Sequence, residues 1–380
     1  MAHSIHLTGT TWDHTRGTMP MLATAQRWGE RHPDTRITWT KRSLQAFADQ
    51  SIPDLAREHD LLILDHPSMG EAAAAGAILP LDTLLPAPFL ADQAAKATGA
   101  SHASYGWGGH QWALAVDAAT PVAAWRADRL ARLGAAPPAG WDDLMRMAKA
   151  GLVVLPAIPV DALMATFMLW LDVAGEPFAG GAPAAAEAIE ALRALLALCD
   201  PACLTRNPIR TYEAMAAEGE GPAYCPFAYG YSAYAMPGFA DHALAFGGLV
   251  TRNRRLRSTL GGAGLAISAR CAEPTAAAAY AAWCASEIIQ RGLWVAVGGQ
   301  PGHRAAWLDA EANRRTGGYF GATLGTLDEA WLRPRWPGYI AFQDEAGHLV
   351  HGCLRGEARV ADTAHALVAR HARALEQAHV

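Results

Sequence analysis

The stretch from Ser4 to Asp65 constrains the fold most, because strand and helix periodicities alternate along it with polar residues at every turn. Ser4–Thr8 (SIHLT) reads as a short strand. Thr18–His32 carries helical spacing, with Met21, Leu22, Ala25 and Trp28 on one face. Arg36–Lys41 (RITWTK) alternates again, and Ser43 is placed to cap a helix running through Arg57. Leu61–Leu64 (LLIL) is wholly apolar, the pattern of a strand buried on both faces of a parallel sheet. Helices between strands predict a doubly wound α/β sheet, which binds ligands beyond the carboxyl ends of its strands. Two loops are expected there, Gly9–Gly17 (GTTWDHTRG) and Asp65–Gly70 (DHPSMG), both crowded with polar side chains.

Composition narrows the class. At 380 residues the chain exceeds one ordinary core, so two lobes are expected. Apolar content of 51% with 18% charged residues describes a folded chain, not a disordered one. The net charge of −5 and the lack of a basic block argue against nucleic acid as a partner. Arg252–Arg257 (RNRRLR) is read as a solvated surface loop. No apolar run reaches the ~18–20 residues that span a bilayer. Ala162–Val173 comes nearest, includes Asp172, and is read as a core helix. The first residues show no basic region followed by an apolar core, which leaves a cytoplasmic location open beside one in which a leader has been removed. Cys199 and Cys203 (CDPAC) fit either a disulfide or two ordinary thiols; the other four cysteines lack metal-ligand spacing, and no metal site is expected.

Farther along, Tyr105–Val116 reads as a hairpin turned by Gly108-Gly109, Pro121–Trp125 as a strand, and Trp141–Ala150 as a helix. Leu152–Leu155 is expected to be a strand, followed by helices over Asp161–Gly175, Pro183–Leu198 and Tyr212–Ala217. Pro222–Tyr234 is strand and loop, Gly261–Ser268 a strand, and Thr275–Arg291 one helix. The tail is helical, divided at Gly317-Gly318 and Arg333–Pro337.

The sequence holds no nucleophile elbow, P-loop, HExxH or dinucleotide fingerprint in its proper context. His348 and His351 lie three apart without a third ligand and are read as surface. The candidates for ligand contact are polar and aromatic. Trp12, His14 and Arg16 follow the first strand, where a plain solvated turn is the competing reading. Asp65 is either a helix cap or a ligand contact, and His66 is aimed by the rigid Pro67. Asp117 follows the apolar strand Ala113–Val116. Tyr229 and Tyr231 share one side of an extended run and suit stacking on sugar faces. Trp336 and Tyr339 stand at a helix entrance, against a reading as packed corner residues.

Several segments together resemble a known family. Glu30–Thr40 (ERHPDTRITWT), Asp60–Leu85 (DLLILDHPSMGEAAAAGAILPLDTLL), Trp112–Leu130 (WALAVDAATPVAAWRADRL), the Trp141-Asp142-Asp143-Leu144 helix start, Gly298–Arg304 (GGQPGHR) and Arg333–Gly338 (RPRWPG) match, in order, the extracellular solute-binding proteins of ABC importers, family 1, the maltose-binding-protein-like group. The resemblance implies an α/β, two-lobed periplasmic-binding-protein-like fold (type II) with the ligand cleft between lobes that close about a hinge. It implies an N-terminal lobe of 1–116 plus 261–310 and a C-terminal lobe of 117–260 plus 311–380. By position it assigns Trp12, His66, Asp117, Tyr229, Tyr231 and the Trp336–Tyr339 corner to the cleft; Arg16 rests on chemistry instead. It further implies no catalysis, no cofactor, a small polar solute (carbohydrate or polyol), ABC-transporter membrane subunits as partners, a monomer, and a periplasmic or cell-surface location. The competing expectation is a cytoplasmic protein reusing the fold as a ligand sensor or enzyme for a small carboxylate.

Overall fold

The computed structural model describes residues 4–43 and 51–378. Its contacts divide the chain into two compact units. The first comprises 1–119, 260–316 and 332–337, and the second 120–259, 317–331 and 338–380. The segment 332–337, counted with the C-terminal lobe in the sequence reading, lies in the first unit.

Ten strands are present among the described residues: β1 (Ile5–Trp12), β2 (Thr35–Arg42), β3 (Leu61–Leu64), β4 (Gly106–Trp107), β5 (His110–Gln111), β6 (Leu114–Ala119), β7 (Pro121–Trp125), β8 (Tyr224–Tyr229), β9 (Ala245–Gly247) and β10 (Gly261–Ile267). The first unit is built on a five-stranded sheet of order β2-β1-β3-β10-β6. β1 runs parallel to β2 and β3, whereas β10 is antiparallel to both β3 and β6. Both faces are covered, and the side-chain alternation shows it. Leu61, Ile63, Leu114, Val116, Leu265 and Ile267 enter one core with Met21 and Trp28 of the Thr15–Arg31 helix and Tyr280 of the Pro274–Ala285 helix. Leu62, Leu64, Ala113, Ala115 and Ala266 enter the other with Leu55, Met69 and Tyr105. An unbroken apolar run is what a strand with two buried faces requires.

The second unit carries a three-stranded antiparallel sheet of order β8-β7-β9. Beside it the helices Pro159–Ala174, Gly181–Leu196, Tyr339–Leu354 and Val360–Ala378 pack on one another. Asp172 is fully buried and holds the Arg252–Arg257 loop. It accepts from Arg252 Nη1 and Asn253 Nδ2, both at 2.9 Å, and from the Arg254 amide at 3.0 Å. That loop is therefore pinned at its start, not simply solvated.

Several local expectations are corrected. The expected Gly9–Gly17 loop shrinks to Asp13-His14, because β1 pairs with β2 as far as Trp12 opposite Arg42 and the next helix starts at Thr15. Thr10, Thr11 and Trp12 are strand formers, and the ladder outweighs their polarity. Leu152–Leu155 makes only a single parallel bridge, Val153 to Tyr224, since just beyond it the Ala157 amide is given to the Cys203 and Arg206 carbonyls. The Thr275–Arg291 helix breaks at Ser286, which is extended (ψ 148°); the chain resumes at Glu287 and passes through a wide π turn at Gln290–Trp294. Of the helix expected from Ser43 to Arg57, residues 44–50 lie outside the described residues; the described part is helical over Ile52–Glu58. Gly108 and Gly109 turn the β4–β5 hairpin with φ of 59° and 83°, which side chains seldom adopt.

Candidate functional site

In the first unit the candidates gather at the carboxyl ends of β1, β3 and β6. Trp12 ends β1 and is buried in the main core. Gly17 lies against its ring, so close that a Cβ there would sit 2.3 Å from it. The Thr18 hydroxyl donates to the Trp12 carbonyl at 3.0 Å. His14 caps the helix that follows, its Nδ1 accepting from the Arg16 amide at 3.0 Å. Burial and the Arg16 charge lower its pKa to about 4. The cap directs Arg16 inward, with its guanidinium carbon 5.8 Å from the Trp12 ring centre.

Arg16 meets Asp117. Its Nε donates to Asp117 Oδ2 at 2.8 Å, and its Nη2 to Oδ1, forming a fork across 101 residues of chain. Both side chains are buried, Asp117 to 2% exposure. Asp117 does not follow its strand, as expected from sequence, but lies within β6 opposite Ala263, next to a register shift that leaves Val116 of β6 as an extra residue. Burial raises the Asp117 carboxyl above its ordinary range against the pull of Arg16.

A second fork stands at the end of β3. Arg333 Nη2 donates to both Asp65 oxygens, at 2.9 and 2.7 Å, and its Nε to the Leu260 carbonyl at 3.0 Å. Asp65 also takes the His66 amide at 2.9 Å, so it caps the turn that follows while pairing with an arginine. Burial favours the neutral acid, but Arg333 and His66 outweigh it and hold the Asp65 carboxyl well below its usual range. The His66 ring is fully buried. Its Nδ1 lies 3.2 Å from Asp65 Oδ1, and its Nε2 has no hydrogen-bond partner among the described residues. Burial, then Arg333, lowers its pKa to about 4, so the ring is neutral at neutral pH. The 333–337 corner is stitched to this turn by the Gly70 amide on the Arg335 carbonyl at 3.0 Å. Trp336 is buried in that corner.

Tyr229, Tyr231 and Tyr339 belong to the second unit. Tyr229 ends β8, is half-buried, and shares a hydrogen bond with Thr259 Oγ1 at 3.2 Å. Tyr231 is buried, edge-on to Tyr212 at 6.3 Å, among core rings that include Tyr234 and Phe246. Tyr339 starts its helix after Gly338 and is buried against Phe342.

Sequence reasoning did not anticipate either fork. Arg333 was seen only as part of a corner, and no local signal ties it to Asp65. It also passed over Asp161, buried in the first turn of its helix, where desolvation raises its pKa to about 8 and Oδ2 has no hydrogen-bond partner among the described residues. A carboxylate within an apolar helical run was the available signal. A separate cavity of about 470 Å³ beside the β4–β5 hairpin is lined by Asp82, Trp107, His110, Gln111 and Arg335, none of them a predicted site residue. No group of three or more metal-ligating side chains suited to a metal occurs among the described residues.

Two α/β units on a discontinuous chain, with paired charges at the carboxyl ends of the first sheet, define the class of two-lobed periplasmic solute-binding folds. The solved structures agree. A maltose-bound protein of T. maritima superposes with a TM-score of 0.81 at 17% identity, covering 98% of this chain and 100% of that one. A ribitol-bound ABC-transporter solute-binding protein of Agrobacterium radiobacter K84 gives 0.79 at 17%, covering 96% and 97%. UgpB of Mycobacterium tuberculosis, in complex with glycerophosphocholine, gives 0.77 at 16%, covering 99% and 100%. No curated protein matches by sequence. The family model for bacterial extracellular solute-binding proteins matches residues 12–291, and the chain belongs to that family.

Proposed function

We propose that this protein binds a small, neutral, polyhydroxylated solute, a carbohydrate or polyol, outside the cytoplasm and delivers it unchanged to the membrane subunits of an ABC importer. The observation that supports this most is the pair of forks, the buried Arg16–Asp117 and the part-open Asp65–Arg333. Each carboxylate is already balanced by an arginine, so the corner carries paired donors and acceptors with little net charge. A carboxylate engaged through two hydrogen bonds retains lone pairs for hydroxyl groups. A free anion would meet Asp65 and Asp117, and a free cation would meet Arg16 and Arg333. Hydroxyl groups satisfy both kinds of partner without an uncompensated charge. The maltose and ribitol carried by two structural neighbours are of this chemistry. In the first unit Asp117, Asp65, Arg16 and His66 are assigned to hydrogen bonding, with Trp12, His14 and Trp336 shaping their surroundings; in the second unit Tyr229, Tyr231 and Tyr339 are the candidate contacts.

The test is a thermal-shift screen against neutral sugars and polyols, small carboxylates, amino acids and glycerophosphodiesters. A solute at 100 times its dissociation constant adds about 2.7 kcal/mol. The expected outcome is a shift with one neutral class, the compound recovered intact, and a loss of affinity of tenfold or more in Asp117→Asn. Shifts confined to charged compounds would overturn the neutral-solute assignment, and turnover of the bound compound would overturn delivery without catalysis.

A further inference from the structure

The cavity beside the β4–β5 hairpin lies within the first unit and shares no side chain with the two forks. At about 470 Å³ it is of a size that small-molecule sites have. Its lining is held by its own contacts. Trp112 Nε1 donates to the Trp107 carbonyl at 2.9 Å and the Trp112 amide to the Tyr105 carbonyl at 3.0 Å, which fixes the hairpin. Trp107 is half-buried, packed on the core that holds Leu62, Leu64 and Tyr105, and the rest of it lines the cavity. Arg335 is fixed at both ends: its carbonyl accepts the Gly70 amide at 3.0 Å, and its Nη1 donates to the Ala103 carbonyl at 2.6 Å.

The polar groups of this lining fall into one cation and a set of acceptors. Among the described residues no carboxylate pairs with the Arg335 guanidinium, and its buried Nε has no hydrogen-bond partner. Burial lowers its pKa with no acid acting against it, yet a guanidinium keeps its charge in a protein. The acceptors lie on the hairpin and the turn beneath it. His110 Nδ1 donates to Asp82 Oδ2 at 2.8 Å, which leaves Nε2 of the neutral ring as an acceptor. Asp82 Oδ1 takes the Gln111 amide at 2.9 Å, and the carboxylate retains further lone pairs. Gln111 Nε2 gives its hydrogens to the His102 and Ala113 carbonyls at 3.0 and 2.9 Å, so its Oε1 is left to accept.

A ligand that completes this lining brings one anionic group for Arg335, hydroxyl donors for the three acceptors, and a flat apolar face for Trp107. A neutral sugar leaves Arg335 without a counter-ion. A simple acid supplies the counter-ion but leaves the acceptors unmet and brings a second negative charge towards Asp82. We infer that this cavity is a second binding site, for a sugar acid of the uronate kind. Its carboxylate engages Arg335, its hydroxyls engage Asp82, His110 and Gln111, and its ring lies against Trp107. The site does not depend on what the forks bind.

The test titrates the full chain with sodium glucuronate by calorimetry, beside glucose, sodium acetate and glycine at matched ionic strength. Saturable binding of glucuronate is expected, about tenfold or more tighter than that of each other compound. Arg335→Met should weaken it about tenfold or more, since a hydrogen-bonded charge pair is lost. Trp107→Ala should weaken it as well, and Asp117→Asn should leave it unchanged, which separates this cavity from the forks. If Arg335→Met fails to fold, the full chain labelled with 5-fluorotryptophan decides: the fluorine resonance that disappears in Trp107→Phe should shift with glucuronate and stay in place with glucose. No saturable glucuronate binding, equal binding of glucose, acetate or glycine, full affinity in folded Arg335→Met, loss of affinity in Asp117→Asn, or an unmoved Trp107 resonance would each overturn the inference.

Discussion

The candidate corners of the two units bury different chemistry. The first unit holds ion pairs, Arg16 with Asp117 fully buried and Arg333, also buried, with the half-buried Asp65. The second buries rings, with Tyr231 packed among Tyr212, Tyr234 and Phe246. Ions in a dry site demand a partner at a fixed angle, because a charge left alone there is costly. Rings gain from area and tolerate small shifts. The first corner is therefore the rigid one, and single substitutions there should act on stability and solute binding together.

The largest effect should come from breaking a fork. Arg16→Met leaves the Asp117 carboxyl buried without its cation, and a loss of about 3–5 kcal/mol is expected in urea unfolding. The double variant Arg16→Met with Asp117→Leu should recover most of that loss without recovering solute affinity. A double variant as unstable as the single one would show that packing, not charge, governs the corner. Next comes acid. The His14 and His66 pKa values are lowered to about 4 in the folded chain, so the unfolded chain binds more protons below its ordinary histidine pKa. Stability attributable to each is therefore present above about pH 6.5, falls as pH drops towards 4, and changes no further below that; about 2 kcal/mol per histidine should be gone by pH 5. Asp65, held low, adds a further loss only below its ordinary range. Denaturation midpoints at pH 7 and 5 check this, and His66→Gln should flatten the slope.

Gly17→Ala should cost about 1–3 kcal/mol, because the added carbon meets the buried Trp12 ring. Tyr229→Phe should be mildest. It removes one hydrogen bond with Thr259, worth about 0.5–1.5 kcal/mol, and keeps the aromatic ring. If Tyr229→Phe proves more damaging than Arg16→Met, the contrast between the two corners fails.

How much of this was legible depends on how local each cause is. The run Leu61–Leu64 announced a strand buried on both faces because its neighbours on either face are all apolar, and the structure places it so. The helix over 159–174 was legible for the same reason. The Thr10–Trp12 strand end was not, since threonine serves turns and strands alike and only pairing with Thr40–Arg42 decides. The forks were out of reach: Asp65 and Arg333 are 268 residues apart, and a carboxylate that both caps a turn and holds an arginine looks, in sequence, like a cap.

The strand order carries a consequence for synthesis. β6 has one neighbour in its sheet, β10, which also joins it to β3. While the nascent chain leaves the ribosome, β1 to β3 can pair early, but β6 waits until Gly261–Ile267 has been made, and Asp65 waits longer for Arg333. The second unit is likewise incomplete until the last helices arrive. Closing such distant pairings is slow. The chain should therefore stay incompletely folded through most of its translation, a state that chaperones can still engage.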